Sequence, residues 1–407
     1  MVVCSLMASQ NNGDSEIQEQ HRGFNDSSSG LTLTIHKSLQ EIDSQSWNRV
    51  VPHDAPTLRY EFLHALETSG AVCPDTGWSP CHLKLARGND LVGAVPCYLK
   101  SHSYGEFIFD WAWARAYQQS GLDYYPKLVV AVPFTPITGP RLLTHPSQDR
   151  EQLASILVQG LHSLGQKLEV SSIHCLFITE SDTHYFQALE FIDRSSNQFH
   201  WRNQHYLSFE HFLQSMSSKK RKNIRRERRR VREAGIDLRW VRGEDINDEQ
   251  LSFFYTCYHQ TIAEHGSFLY LNQKFFETLR QTMPAQIRLL LAQRGGKNVA
   301  AGFFVCADNA LYGRYWGSVE QIPDLHFEVC YYTPIEYCIE QGFSIFEAGA
   351  QGEHKLSRGL MPTITRSAHW LSHAGFHDAI ERYTLEEHQE IERYTDILEQ
   401  HSPFKRT

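Results

Sequence analysis

The same order of predicted elements occurs twice along the chain, and this repetition limits the possible folds more than any other feature. In the first half, residues 31–39 alternate like a β-strand, and residues 42–51 and 58–68 have the apolar spacing of helices. Residues 81–100 then predict two strands about a Gly-Asn-Asp turn. The first pattern is therefore strand, two helices and successive strands.

The second half repeats that order without a repeat at the level of residues. Residues 236–243 predict a strand, residues 248–264 and 272–283 predict two helices, and successive strands are predicted between residues 287 and 318. We therefore expect a mixed α/β fold built from two tandem domains, with their sheets facing a shared cleft.

Composition places these domains within the chain. With 407 residues, of which 41% are hydrophobic, the chain is long enough for two cores. Residues 8–30 are rich in Ser, Asn, Gln, Asp and Gly and bury too little apolar surface to offset the entropy of ordering. We expect a disordered leader over residues 1–30, an N-terminal domain over residues 31–205 and a C-terminal domain over residues 206–407.

The cysteines and the apolar runs indicate the cellular compartment of the protein. Its nine cysteines are odd in number, scattered and never spaced as CxxC, which argues against a disulfide framework or a zinc ribbon. The start has no basic region of a signal peptide, and no stretch approaches eighteen apolar residues. We expect a cytoplasmic protein with no membrane span.

A strongly basic helix is predicted over residues 217–234. Its segment SSKKRKNIRRERRRVRE carries ten Lys or Arg against two Glu, although the net charge of the whole chain is −8. Only Ile224 and Val231 are apolar, and they lie on one stripe of the helix. The other sides suit a polyanion, and the predicted binding residues are Lys219, Lys220, Arg221, Lys222, Arg225, Arg226, Arg229 and Arg230. The alternative is internal pairing with an acidic helix predicted over residues 378–400.

Reactive side chains are concentrated between residues 311 and 370. Tyr312, Arg314 and Trp316 alternate at strand spacing, which predicts that they share one face and bind substrate. Trp111 and Trp113, in an aromatic stretch of the first half, either line the cleft as further substrate contacts or fill a core.

Acids, histidines and cations in this segment suit direct transfer to an amine. Such a reaction needs a base for the amine proton and a cation for the developing oxyanion. Glu328 or Glu353 is predicted as the base, and Lys355 as the cation, with ion pairing as the alternative for the acids. His326 and His354 would orient groups or shuttle protons, or serve as structural histidines, and Arg358 would bind substrate.

Other kinds of site are poorly supported by the sequence. The HxE at residues 326–328 is not followed by PCxxC, no metal-site spacing occurs, and no GxSxG elbow is present. We therefore expect no metal and no covalent nucleophile. Thr333, Pro334 and Glu336 form a predicted capping box, so a helix is expected to begin directly after residue 332, with its N-terminal amides free to bind an anion.

Several long motifs resemble a known family. They are HSYGEFIFDWAWA, YYPKLVVAVPFTPITGPRLL, FHWRN, SSKKRKNIRRERR, LYGRYWG, LHFEVCYY and FEAGAQGEHKLSRGLMPT. Together they resemble the FemAB-like bacterial proteins of peptidoglycan biosynthesis or recognition, a branch of the GNAT acyltransferase superfamily. The resemblance extends from about Leu31 to the C-terminus, and it implies two tandem GNAT-like domains.

The resemblance also implies a reaction. Better-understood Fem enzymes move an aminoacyl group from aminoacyl-tRNA to the amine of a cell-wall precursor peptide, and Lys355 matches a lysine that lies near their reacting groups. The Q/R-x-x-G-x-G/A pyrophosphate loop of acetyl-CoA-dependent relatives is missing before residue 333. Aminoacyl-tRNA and acyl-CoA both stay open as donor, and no tightly bound cofactor is expected.

A second class of function is also compatible with the sequence. A GNAT scaffold does not by itself carry chemistry, so the chain could be a non-catalytic protein that binds nucleic acid or a cell-wall precursor. An enzyme needs the acids and cations of residues 311–370 to converge on a cleft. A binding protein needs only the basic helix and an aromatic wall. The sequence leaves the oligomeric state open.

Overall fold

The computed structural model of the chain describes residues 25–26, 30–350 and 352–405. The predicted leader falls mostly on residues 1–24 and 27–29, which lie outside the described residues. Within that leader, Asn25–Asp26 forms strand β1, which pairs antiparallel with the next strand of the chain.

Strands and helices follow the predicted order in both halves. The further strands are β2 (Leu31–His36), β3 (Trp78–Pro80), β4 (His82–Arg87), β5 (Asp90–Val95), β6 (Cys97–Lys100), β7 (Lys127–Val130), β8 (Leu143–Thr144), β9 (Ser172–Ile178), β10 (Ile192–Arg202), β11 (Ile236–Arg242), β12 (Ile287–Arg294), β13 (Lys297–Cys306), β14 (Ala310–Ser318), β15 (Ile345–Glu347) and β16 (Met361–Leu371). The helices are α1 (Ser44–Val50), α2 (Tyr60–Thr68), α3 (Trp111–Gln119), α4 (Arg150–Lys167), α5 (Thr183–Gln187), α6 (Phe209–Ser215), α7 (Ser218–Glu233), α8 (Asp248–Glu264), α9 (Gln273–Thr282), α10 (Leu325–Phe327), α11 (Thr333–Gln341) and α12 (Ala374–Gln400). The predicted basic helix is confirmed as α7. The predicted acidic helix is confirmed as α12, which begins earlier than expected, at Ala374.

The sheets of the two halves are joined rather than set face to face. A 5-stranded sheet has the order β1-β2-β4-β5-β8, and an 11-stranded sheet has the order β11-β12-β13-β14-β15-β10-β16-β9-β7-β6-β3. The expectation of two sheets facing a cleft is therefore wrong, because β10 pairs with β15 on one side and with β16 on the other. The residue bounds of the two domains stay a prediction.

Parallel pairing occurs at two places in the described chain, one in each half. β7 runs parallel to β9, and β14 runs parallel to β15. Each parallel pair is short and is flanked on both sides by antiparallel strands. The repeated order of elements thus produces the same local arrangement of strands twice.

Separate cores cover the two faces of the sheet around β13 and β14. Phe303 packs with α8 and α9 on one face, whereas its neighbour Phe304 packs with residues of the 325–341 segment on the other. A Cβ at Gly317 would lie 2.0 Å from the Cys257 carbonyl oxygen, so only glycine lets α8 approach β14 this closely. From Val299 onward, β13 is buried on both faces.

The segment before Thr333 is helical, which corrects the predicted start of that helix. Helix α10, a π-helical turn at Glu328–Tyr332 and α11 follow one another without a break. Thr333 is the first residue of α11 and makes no capping hydrogen bond; its hydroxyl donates to Glu328 Oε1 at 3.0 Å. The expected anion site at this N-terminus is therefore absent, because the preceding helical turns occupy its place.

No helix within the described residues is long and apolar enough to span a membrane.

Candidate functional site

The sheet opens where β14 and β15 separate, and we call this opening the fork. The two strands pair only from Ala310 to Tyr312 against Ile345–Glu347. β15 ends at Glu347, while β14 continues to Ser318 and β10 continues away from β15 toward Ile192. A gap between β14 and β10 follows, and the segment after Glu347 enters it.

A β-bulge in β14 changes which side chains face this gap. Gly313 pairs with Phe304 and Tyr315 pairs with Phe303, so Arg314 is the extra residue. Tyr312 consequently lies in the core beneath α8, whereas Trp316 packs in the core on the opposite face. The prediction that Tyr312, Arg314 and Trp316 share one face is wrong, because a bulge shifts the alternation by one residue.

Two cavities adjoin the fork. The smaller, of 120 Å³, is lined by residues from β13, from β14, from residues 325–341, which we call the helical segment, and from the stretch after β15: Phe304, Gly313, Arg314, Tyr315, Trp316, His326, Cys330, Tyr331 and Ala348. The larger, of 260 Å³, lies along the free edge of β10 and includes Arg194, Ser196, Gln198, Phe177, Ala350 and Glu387 in its lining. Ala348 and Ala350 thus connect the two cavities through the fork.

A loop of the first half bridges the fork. The Arg314 guanidinium donates to the Phe134 carbonyl oxygen at 2.6 Å, and the Gln198 amide donates to the Pro136 carbonyl oxygen at 3.0 Å. One loop therefore contacts both β14 and β10. The two halves of the chain build the site together.

Glu347, at the last position of β15, is an acid that the sequence patterns did not single out. Its side chain is only 12% exposed, and its Oε1 lies 3.8 Å from His200 Nδ1. Its buried Oε2 has no hydrogen-bond partner. Burial raises the pKa of Glu347 to about 8, although Arg314 and Arg202 oppose the shift. A signal was present, since an acid follows the apolar run SIF directly before AGA.

Lys355 lies beside the fork, in a 3₁₀ turn at Glu353–Arg358. Its Nζ donates to the Gly349 carbonyl oxygen at 2.7 Å, and the residue is 2% exposed. Burial lowers the pKa of Lys355 to about 8. Gly352, with φ of +113°, gives the backbone the turn that brings Lys355 back toward Gly349. Lys355 thus lies next to the segment that follows β15, while its role stays a prediction.

The two histidines contact aromatic rings next to the smaller cavity. His326 lies 4.9 Å from the Trp316 ring and 5.4 Å from the Tyr331 ring, measured between centroids. Burial lowers the pKa of His326 to about 4. His354 Nε2 is 2.8 Å from the Tyr331 hydroxyl, and burial also lowers the pKa of His354. His326 is therefore neutral at physiological pH.

Glu328 and Glu353 are engaged elsewhere. Glu328 is buried and accepts from Arg228 of α7 at 2.9 Å as well as from Thr333. Burial raises the pKa of Glu328, and Arg228 opposes the shift. Glu353 is exposed and accepts from the Tyr394 hydroxyl of α12. These contacts favour the ion-pairing alternative for Glu328, with a partner that the sequence patterns did not indicate.

Arg358 lies under the helical segment rather than in either cavity. Its guanidinium carbon is 3.4 Å from the centre of the Phe327 ring, and its Nη1 donates to the His354 carbonyl oxygen at 2.8 Å. Its Nη2 donates to Glu227 Oε2 at 3.2 Å. Arg358 therefore connects the Lys355 turn to α7.

The two predicted tryptophans do not line the two cavities at the fork. Trp113 is 4% exposed, 5.0 Å from the His369 ring and 4.9 Å from the Arg194 guanidinium carbon. Trp111 is 38% exposed and packs against Tyr104 at 4.9 Å. The burial of Trp113 favours the alternative that this residue fills a core.

Helix α7 presents part of its charge to solvent. Arg225, Arg228, Arg229 and Arg230 form salt bridges with Glu210, Glu328 and Glu336, Glu233, and Asp324, respectively. In the described chain, none of its salt bridges reaches α12. Lys219, Lys222 and Arg226 are exposed and have no acidic partner among the described residues. These three cations are therefore available to an external anion.

Thiol and metal chemistry find little support at the fork. Burial raises the pKa of the Cys330 thiol, so the thiolate is disfavoured. No group of three or more His, Cys, Asp or Glu within the described residues is arranged to hold a metal ion.

The corresponding opening in the first half is closed. Beyond the paired residues of β7 and β9, the buried Arg141 donates to the Leu176 carbonyl oxygen at 2.8 Å and to the Ile137 carbonyl oxygen at 2.7 Å. The Gly139 amide donates to the Phe177 carbonyl oxygen at 3.0 Å. Backbone and guanidinium thus occupy the space that stays open between β14 and β10.

The chain is similar to several solved structures. FemX has a TM-score of 0.51 and 11% sequence identity, over 85% of this chain and 99% of FemX. L-PGS from Bacillus licheniformis has a TM-score of 0.47 and 10% identity, over 82% of this chain and 97% of that one. A tandem GNAT protein from the clavulanic acid biosynthesis pathway has a TM-score of 0.43 and 10% identity, over 84% of this chain and 99% of that one. No curated protein sequence matches the chain.

The predicted fold class, mixed α/β with two tandem GNAT-like domains, is confirmed, because the chain shares the fold of FemX. A family model described as peptidoglycan biosynthesis/recognition matches residues 38–406. Because this match covers nearly the whole sequence, the chain belongs to the FemAB-like family.

Proposed function

We propose that the chain is an N-acyl or aminoacyl transferase whose reaction takes place at the fork, with Glu347 as the proton acceptor. The observation that carries this proposal is a buried carboxyl group, with one unpartnered oxygen and a pKa of about 8, directly before the segment that connects two cavities. A carboxyl with a pKa near the working pH suits general base catalysis. Membership of the FemAB-like family supports transfer to an amine.

The chemistry assigns one task to each charged group. The nitrogen of the acceptor amine attacks the carbonyl carbon of an ester or thioester, and a C–N bond forms while Glu347 takes the proton from nitrogen. The protonated Lys355 stabilises the oxyanion. The C–O or C–S bond then breaks, and the leaving oxygen or sulfur receives the proton from Glu347. The products are an amide and a free alcohol or thiol.

Charge around α10 favours aminoacyl-tRNA over acyl-CoA as the donor. The segment before Leu325 contains Glu320, Pro323 and Asp324 and has no glycine, so it offers a pyrophosphate few free amides. Asp324 adds negative charge there and pairs with Arg230 at 3.3 Å. The exposed cations of α7 suit a phosphate backbone instead. The acceptor in this proposal is an amine or peptide, including a peptidoglycan precursor.

A second candidate is a non-catalytic protein that binds nucleic acid. The exposed Lys219, Lys222 and Arg226 favour it, because they alone would suffice for binding a polyanion. The two candidates differ in what they require of Glu347, since a binding protein has no use for a buried base.

The test is transfer itself. Labelled aminoacyl-tRNA and labelled acetyl-CoA are offered in turn with a lysine-containing precursor peptide, and amide product is measured by mass spectrometry. Glu347→Gln is expected to lower turnover by a factor of about 10²–10⁴. Glu340→Gln, an exposed acid of α11, serves as the control. Transfer by Glu347→Gln at the wild-type rate would overturn the assignment, and binding of tRNA without any transfer would favour the second candidate.

A further inference from the structure

Glu227 is the inward-facing acid of the basic helix. Helix α7 contains two acids, and the other, Glu233, has a side chain that is 67% exposed and pairs with Arg229 on the same helix. The Glu227 side chain is 16% exposed and accepts from Arg358 at 3.2 Å. It also accepts from the Tyr332 hydroxyl. One carboxylate thus contacts two further segments of the chain.

Arg358 carries this contact to the turn that holds Lys355. It closes the turn by donating to the His354 carbonyl oxygen at 2.8 Å, and it packs on the Phe327 ring. Its Nε is buried without a hydrogen-bond partner, and through Nη2 it pairs with Glu227, its one acidic partner among the described residues. A second link is Lys220, whose Nζ donates to the Ser357 hydroxyl at 2.7 Å. Helix α7 therefore holds the 353–358 turn at two points.

We propose that Glu227 is a positioning residue for Lys355, acting through Arg358. Lys355 stays buried against the Gly349 carbonyl oxygen only while the 353–358 turn keeps its shape. The turn is short and follows a residue with φ of +113°, so few local hydrogen bonds maintain it. The Glu227–Arg358 contact fixes the turn to a long helix. The inference rests on the proposed function only for the role of Lys355 in the reaction, and the contact between α7 and the 353–358 turn does not depend on it.

The pKa of the Lys355 ammonium group depends on its buried position in the turn. Burial lowers its pKa to about 8, and the group that opposes this shift is the Cys330 thiol rather than a carboxylate. The titratable groups that face Lys355 come from β10, the helical segment and its own turn: His200, His326, Cys330 and His354. A Lys355 released from the turn would gain water and regain an ordinary pKa.

Chemical labelling of Lys355 tests the proposal without any substrate. The full chain is exposed briefly to acetic anhydride across a pH series, and acetylation of Lys355 is measured by mass spectrometry relative to the exposed Lys219. At about pH 11, where Lys355 is largely deprotonated in both proteins, Glu227→Gln is expected to be acetylated at Lys355 about tenfold faster than the wild type, because removal of a buried charged hydrogen bond exposes the amine. Its apparent pKa should move upward toward 10.5. Glu233→Gln should leave both quantities unchanged.

A second variant keeps the test decisive if Glu227→Gln does not fold. Arg358→Lys retains the charge but cannot contact Glu227 and the His354 carbonyl oxygen together. In this variant, acetylation of Lys355 should be as fast as in Glu227→Gln. The double variant should label no faster than either single variant, because both break one connection. Additive effects, or a lower melting temperature with unchanged Lys355 labelling, would overturn the proposal. Labelling does not depend on turnover, so a failure of the proposed enzyme activity leaves this result intact.

Discussion

His200 of β10 and Glu347 of β15 lie opposite each other in the antiparallel register, with 3.8 Å between Nδ1 and Oε1. This pair is uncharged at neutral pH, because burial lowers the pKa of His200 to about 3 and raises that of Glu347 to about 8. The short distance is therefore not an ion pair. The carboxyl group keeps its proton until the pH rises or a substrate changes its surroundings.

The first prediction concerns the pH dependence of stability. Glu347 has a pKa of about 8 when folded, against an ordinary value of 4.5, so between these values the native state holds a proton that the unfolded state has released. Stability from this group is fully present below about pH 4.5 and is lost as the pH rises to about 8. Glu347→Gln removes this pH dependence. The melting temperature of the variant should exceed that of the wild type more at pH 9 than at pH 5, and an offset that stays constant with pH would contradict the raised pKa.

The second prediction concerns the rate of transfer. Glu347 must be deprotonated and Lys355 protonated, and both have a pKa of about 8. The plot of kcat/KM against pH should therefore be bell-shaped with a maximum near pH 8. Lys355→Ala should lower turnover by a factor of about 10²–10³ and remove the alkaline limb. A flat profile from pH 5 to 7 would exclude Glu347 as the base.

The third prediction concerns Arg228, which pairs with Glu328 and Glu336. Arg228→Met leaves Glu328 buried without a cation, and it should destabilise the fold by about 3 kcal/mol. The destabilisation should grow with pH, since the pKa of Glu328 would rise further and the ionised form would be penalised. Chemical denaturation measures both effects. Arg226→Met, on the exposed side of the same helix, is the matched control, and equal destabilisation in the two variants would show that Glu328 does not need Arg228.

The fourth prediction concerns polyanion binding by α7. Replacing Lys219, Lys222 and Arg226 with Gln should weaken binding of tRNA and reduce the slope of log affinity against log salt by about 0.7–0.9 for each phosphate that the helix no longer neutralises. Replacing Arg225, Arg229 and Arg230 instead should have a smaller effect, because these three already pair with acids. Fluorescence titrations at several salt concentrations provide the slopes. Identical slopes in the wild type and the first triple variant would exclude this surface.

Local sequence patterns predicted the helices and strands of the fold. The predictions that failed depend on pairing or contact between residues that are far apart in the sequence. The run of charged helix formers after Ser217 located α7, and the family resemblance identified Lys355 as a candidate site residue. The bulge at Arg314 depends on pairing with β13, so strand periodicity alone gave the wrong face for Trp316. Glu328 finds its partner Arg228 a hundred residues earlier. Such contacts follow from strand order and packing, which no short window of sequence contains.

Glu347 was missed for a related reason. An acid at the end of a three-residue strand resembles an ordinary surface residue by its local sequence. Its burial results from β10 and β14 on either side, which come from distant parts of the chain. The local sequence therefore shows only an acid beside an apolar run, and the burial of Glu347 becomes visible when the strands are assembled.

The position of β16 has a consequence for how the protein is made. β16 lies between β9 and β10, so these two strands cannot pair with each other in the native sheet. During synthesis, residues 172–202 leave the ribosome long before residues 361–371. The edges of β9 and β10 that pair with β16 in the native sheet therefore stay without a partner strand during that interval. A nascent chain arrested before residue 361 should therefore expose two strand edges whose unpaired backbone groups can pair with another chain, and it should require a chaperone. The N-terminal half, expressed alone, should aggregate unless a peptide with the sequence of β16 is supplied.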